Sequence, residues 1–140
     1  MKSVHNDVLT FHRMLGEYIG DLPRRPPYKV EILRRALLVE EYNELIDALD
    51  TSNFAEIADG IADLIYILVG MAINYGIHLP CVWDVVHKAN LAKAGGGKDK
   101  NGKIMKPLGW EHPDIASVVF SVSLNEFTKK KSSDEAHDPE

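Results

Sequence analysis

From Ala36 through His87 the chain runs 52 residues without a Lys or Arg, yet it carries nine carboxylates there. The same block holds its most apolar segments, so acids and prospective core are interleaved, and only a periodic structure can sort them. Between Tyr28 and Leu49, Val30, Leu33, Leu37, Leu38, Leu45 and Leu49 recur at helical spacing. From Phe54 to Tyr75, Ile57, Ile61, Leu64, Ile65, Ile67, Leu68 and Met71 cover more than one side, the pattern of a helix at the centre of a bundle. Asp50, Thr51, Ser52 and Asn53 separate the two and include N-cap candidates. The block therefore predicts two long antiparallel helices joined by a tight turn.

Shorter elements flank this pair. NDVLTFHRMLGEYIG sets Val8, Leu9, Phe11, Met14 and Leu15 on a short helix, with Asp7 as N-cap and its end near Gly16 or Gly20. Pro23, Pro26 and Pro27 make the next stretch an extended connector. Gly76 suits the C-cap of the second long helix, and Pro80 precedes a further helix over about Cys81 to Lys93. AGGGKDKNGKIMKPLGWEHPD is rich in glycine and lysine, and Asn101-Gly102 predicts a type I′ turn in a small hairpin. Ile115 to Phe127 is amphipathic and reads as helix or strand; residues 128–140 form a charged tail expected to be disordered. The expectation is all-α: one antiparallel helical bundle over residues 1–127.

Composition removes several function classes. A net charge of −5 and a pI near 5.7 argue against a nucleic-acid binder. The single Cys81 admits no internal disulfide and agrees with a reducing cytoplasm. The most apolar run, Leu64 to Leu79, is interrupted by Asn74 and His78 and is shorter than the roughly 20 residues of a membrane span. Met1 to Thr10 is too polar for a secretory leader. A cytoplasmic protein without membrane contact is expected.

The acids carry the chemistry. Residues three, four and seven apart share a helix face, so Glu40, Glu41 and Glu44 fall about 40–60° apart along one edge. Glu56, Asp59 and Asp63 make a second stripe on the next helix, and the short connection lets the stripes face each other. Carboxylates clustered without cations point to water, take up protons, or coordinate a metal. Asp63, within IADLIYIL, has apolar neighbours on both sides and is hard to leave in water. An all-oxygen donor set with no His/Cys cluster favours Mg²⁺, with Mn²⁺ as the alternative, and Mg²⁺ usually takes phosphate as a further partner. The plainer reading is a solvated acidic face, which EExxE alone would support; Asp47 and Asp50 are read that way.

Phosphate also wants cations that the metal does not replace. His87, Asn90 and Lys93 recur every third residue in HKANLAK, and Lys98, Lys100, Lys103 and Lys106 follow in the glycine-rich loop. That loop lacks the spacing of a P-loop.

EEYNEL followed by IADGIADLIYIL, together with TFHRMLG, VHKANLAK and NGKIMKPLGWEHPDI, resembles the all-α nucleoside triphosphate pyrophosphohydrolases of the MazG-like superfamily. Within it the chain looks most like the phosphoribosyl-ATP pyrophosphohydrolase-like branch, which includes a MazG-like dUTPase. The resemblance implies a four-helix-bundle-like fold assembled as homodimer or homotetramer. It further implies Mg²⁺-dependent cleavage of a (deoxy)nucleoside triphosphate to monophosphate and pyrophosphate, with dUTP or another non-standard nucleotide as substrate. Phosphoribosyl-ATP hydrolysis, or a nucleotide-binding module with weakened catalysis, is the alternative. By motif, Glu40, Glu41 and Glu44 stand where the first helix supplies metal ligands and the general base, and Asp63 is the last acid of the family's ExxD. With Asp59 these imply Glu41, Glu44, Asp59 and Asp63 as metal ligands, and Glu40 or Glu41 as the group that completes deprotonation of the attacking water. The first acid of the family's ExxD falls on Gly60, so Asp59 or Glu56 is its replacement. Lys93, with Lys103 and Lys106, faces the leaving pyrophosphate; His87, Asn90, Trp110, His12 and Phe11 complete the substrate candidates.

Overall fold

The computed structural model describes residues 1–121. Five helices follow in order: α1 (Lys2–Leu15), α2 (Tyr28–Asp50), α3 (Phe54–Asn74), α4 (Leu79–Leu91), a 3-10 turn (Ala92–Gly95) and α5 (Ile115–Ser121). The described residues hold no named strand, and the all-α expectation stands. Much of the segment expected over Ile115 to Phe127, and the tail at 128–140, lie outside the described residues.

The two long helices arise where the apolar period predicts them. α2 starts directly after Pro27, whose ring excludes the preceding residues from a helix. α3 starts after Asn53, whose side chain accepts the Glu56 backbone N–H at 3.5 Å. At its far end Gly76, at φ 67°, closes a paired capping motif: its N–H donates to Ile73 O and the Ile77 N–H to Ala72 O. Leu22 packs so closely over Gly76 that a Cβ would overlap the Leu22 carbonyl, which pins the connector onto the end of α3.

α1 begins six residues earlier than expected, at Lys2 rather than after Asp7. The reason is that two histidines serve as core residues: His5, Val8 and His12 form its buried stripe. Val8, Val69 and Ile73 make the apolar core, with Val4, Leu9, Ile19 and Leu79 around it. α1 thus lies on one side of α3 and α2 on another, and α4 returns from the α1 end.

Between α1, α2 and α3 lies a buried polar network. Arg34 donates from Nε to Asn74 Oδ1 at 2.5 Å and from Nη2 to His12 Nε2 at 3.0 Å. Asn74 Nδ2 in turn donates to the Tyr18 carbonyl. A guanidinium only donates, so His12 Nε2 must accept and its proton sits on Nδ1. Gly70 makes room: a Cβ there would stand 3.1 Å from His12 Nε2 and 3.2 Å from Arg34 Nη1.

At the other end of α1, His5 is 2% exposed and neither ring nitrogen has a hydrogen-bond partner among the described residues. Burial, reinforced by neighbouring His78, pushes its pKa down to about 4. Burial also lowers His12, with Arg34 adding to the effect against Tyr18 and Glu17. It lowers His78 likewise, with Lys2 adding and Asp84 opposing. A base whose pKa falls on folding binds fewer protons native than unfolded, so its contribution is complete above about pH 6.5 and lost as pH falls toward 4. For His5 alone the full loss is about 3 kcal/mol. Urea midpoints at pH 7 and pH 4.5 should differ accordingly, and His5→Leu should flatten the difference; an unchanged slope in that variant would remove His5 from the account.

The expected hairpin is reduced to one antiparallel bridge between Lys98 and Ile104. Its turn is not type I′. Gly102 has φ 80° but Asn101 stays at negative φ, and the Gly102 N–H donates to Asp99 O. A type I turn followed by a left-handed glycine describes it.

Candidate active site

α2 and α3 run antiparallel with Leu45 against Gly60, where a Cβ on the glycine would stand 3.3 Å from Leu45 Cβ. Beside this contact opens a cavity of about 210 Å³, lined by Glu44, Asp47, Glu56, Asp59, Gly60 and Asp63. Five carboxylates therefore converge on one concavity without a Lys or Arg in its wall. The stripes face each other as their spacing predicts.

Glu41 stands at the edge of this group. Its pKa is raised, first by desolvation and then by repulsion from Asp63, Glu44, Glu40 and Asp59. A carboxyl so raised is strained when ionised, and protonation or a cation relieves the strain. Glu40 neighbours Glu41 but does not line the cavity. Asp63 is exposed, not buried as the sequence suggests: its apolar neighbours Ala62 and Leu64 lie to either side, and it opens onto the groove. Asp47, read as a surface acid, is a wall of the cavity, a role that its position three residues after Glu44 could have signalled.

The donor set suits a hard divalent cation. Among the described residues no three carboxylate, imidazole or thiol groups are gathered closely enough to enclose an ion by themselves. Mg²⁺ makes no such demand, since it keeps several waters and is held by one or two carboxylates plus substrate phosphates.

The basic candidates divide. Asn90, Lys93, Lys106 and Trp110 come together: Lys93 Nζ donates to Asn90 Oδ1 at 2.7 Å, and Lys93 and Lys106 lie 5.3 and 4.4 Å from the Trp110 ring centre. Trp110 is anchored by its Nε1–H, which donates to the Ala89 carbonyl at 2.8 Å. Lys106 also reaches His112 Nε2 at 3.0 Å. Two ammonium groups over one ring, with no carboxylate partner among the described residues, make a surface suited to an anion. His87 is elsewhere, stacked on Trp83. The Lys103 backbone N–H caps Asp99 in the turn, and its side chain stays outside the cluster. His12 belongs to the Arg34 network. Phe11 meets Tyr66 edge to face at 5.5 Å, one turn along α3 from Asp63. No ion pair or hydrogen bond joins the lysine cluster to the acidic cavity among the described residues.

No described helix is long and apolar enough to cross a membrane. Much apolar surface faces outward instead: Phe54, Ile61, Ile65 and Leu68 on α3, and Ile32, Leu33, Val39 and Tyr42 on α2.

Comparison with known proteins places this arrangement. The sequence profile described as phosphoribosyl-ATP pyrophosphohydrolase matches residues 8–90, which contain α2, α3 and every acid of the cavity. An uncharacterized protein of Acanthamoeba polyphaga mimivirus is 43% identical over 96 residues, covering 65% of this chain and 36% of that protein. The chain thus spans about a third of that relative's length.

Proposed function

The chain belongs to the phosphoribosyl-ATP pyrophosphohydrolase family, within the MazG-like all-α superfamily, and from that premise we propose that it is a divalent-metal-dependent nucleotide pyrophosphohydrolase. The substrate class is a (deoxy)nucleoside triphosphate, cleaved between the α and β phosphates to monophosphate and pyrophosphate. The observation that carries the reading is the cavity of Glu44, Asp47, Glu56, Asp59 and Asp63 with Glu41 at its edge.

Glu41, Glu44, Asp59 and Asp63 would hold Mg²⁺ or Mn²⁺, which polarises phosphate oxygens and makes water more acidic. Glu41 suits the general base better than Glu40. Its raised pKa brings it closer to the working pH, and it faces Asp63 across the seam. Lys93 and Lys106 supply positive charge for the departing pyrophosphate, and Asn90 fixes Lys93. Phe11 and Tyr66 offer a half-exposed aromatic edge beside the acids for the nucleoside.

We further propose a cytoplasmic homodimer or homotetramer. The support is the row of exposed apolar residues Phe54, Ile61, Ile65 and Leu68 at helical spacing on α3, which a second copy would cover.

Phosphoribosyl-ATP is the second substrate reading, favoured by the family description itself. Both predict pyrophosphate as product. The deciding assay follows its release from each dNTP and NTP and from phosphoribosyl-ATP, with Mg²⁺, Mn²⁺ or EDTA. Metal-dependent release from one of these is expected. No release from any, with nucleotide and metal still raising Tm, would leave a binding module and refute the enzymatic reading.

A further inference from the structure

We propose that His112 is the positioning residue of an anion site over Trp110, holding Lys106 toward a phosphate group without taking up the lysine's charge. It rests on the reading above, in which this cluster receives the departing pyrophosphate, and names the side chain that orients it.

The chain builds the cluster locally. A turn from Pro107 to Trp110 reverses the backbone, closed by the Trp110 N–H on the Pro107 carbonyl at 3.1 Å with Gly109 at φ 79°. Lys106 enters this turn and His112 follows it, so both come to flank Trp110. The indole is a fixed floor, because its Nε1–H is tied to the Ala89 carbonyl on α4. His112 stands edge-on to it, ring centres 4.6 Å apart at 77°. Lys106 lies over the same ring at 4.4 Å, and its ammonium meets His112 Nε2 at 3.0 Å.

An ammonium only donates, so His112 Nε2 accepts and the ring is neutral with its proton on Nδ1. This contact therefore differs from an ion pair. A carboxylate at position 112 would orient Lys106 too, but it would cancel the charge and leave little attraction for phosphate. The neutral imidazole fixes one N–H donor and leaves the others, with the full positive charge, for a ligand. Asn90 treats Lys93 in the same way, accepting one N–H at 2.7 Å through a neutral amide. Acids close in sequence do not quench the pair. Asp114 accepts the Ser117 N–H and hydroxyl at 2.9 and 2.6 Å, and no ion pair among the described residues involves Lys93 or Lys106. A lysine loses rotamer freedom when a ligand immobilises it, and anchoring it beforehand removes part of that cost.

The test is a calorimetric titration of the full-length protein with inorganic pyrophosphate in EDTA, which keeps any metal at the acidic cavity out of the reading. Wild type should bind pyrophosphate. His112→Ala should weaken binding about tenfold, roughly the worth of one charge-assisted hydrogen bond. His112→Gln, whose side-chain oxygen still accepts from Lys106, should stay within about threefold of wild type. His112→Glu should lose at least as much as the alanine variant, because it pairs with Lys106. In the nucleotide assay His112→Ala should raise KM with kcat little changed, the mark of lost binding rather than lost chemistry. Thermal unfolding checks that each variant is folded, and His112 is exposed, so its replacement leaves the core untouched. Equal losses in His112→Ala and His112→Gln, or unchanged affinity in both, would overturn the proposal, as would no binding by wild type. If pyrophosphate binds as expected but no nucleotide is cleaved, the positioning role stands and the enzymatic reading falls.

Discussion

Asp63→Asn should lower kcat/KM for pyrophosphate release by about 10²–10³-fold, while leaving the metal-free protein as stable as wild type or slightly more so. The two signs come from one cause. After desolvation, repulsion from Asp63 does most to push the Glu41 pKa up, so removing its charge relieves repulsion across the α2–α3 seam. On the metal-dependent reading proposed above, the same removal takes a ligand oxygen and a full negative charge from the cation. Glu41 then loses part of the upward shift that suits it as a base. Pyrophosphate release with Mg²⁺ and urea unfolding in EDTA, run on both proteins, separate these effects. Activity within about threefold of wild type would remove Asp63 from the chemistry. A large stability loss in EDTA would mean that it has a structural role instead.

Arg34→Ala should cost about 3–5 kcal/mol of stability, the range for stripping one partner from a buried charged network. Asn74 Oδ1 and His12 Nε2 would both lose their donor inside the protein, and Glu17, 3.7 Å from the guanidinium, would lose its counter-charge. Arg34→Lys should recover little, because a single ammonium cannot reach two acceptors in different directions. Urea midpoints measure this directly. A loss below about 1 kcal/mol for Arg34→Ala would show that water replaces the network, and that α1 is held mainly by Val8, Val69 and Ile73.

The α2–α3 pair was legible because its apolar period is long and its acids have no cations nearby to pair with. Their facing arrangement follows from a connection of only a few residues. What stayed hidden was the work done by polar side chains away from water. His5 and His12 continue the buried stripe of α1, but a reading by hydrophobicity counts them as surface, and so α1 was started late. Arg34 sits on the buried side of α2 for the same reason. Asp47 shares the face of Glu44, three residues before it, but a linear pattern does not reveal which side of a seam opens into a cavity. The partnership of Trp110 with Lys93 and Lys106 depends on a loop fold that has no period. Asn90 and Lys93 are legible because they stand three residues apart, across the end of α4 and the 3-10 turn that continues it.

The three residues between Asp50 and Phe54 also bear on the order in which this molecule assembles. Closing so short a loop costs little chain entropy, so α2 and α3 can zip together before α1 or α4 finds its place. The acids would then be gathered at the earliest stage of folding, held close by the notch at Gly60, while their mutual repulsion is still uncompensated. On the metal-dependent reading, a cation that relieves this repulsion would favour the closing of the helix pair as well as the chemistry.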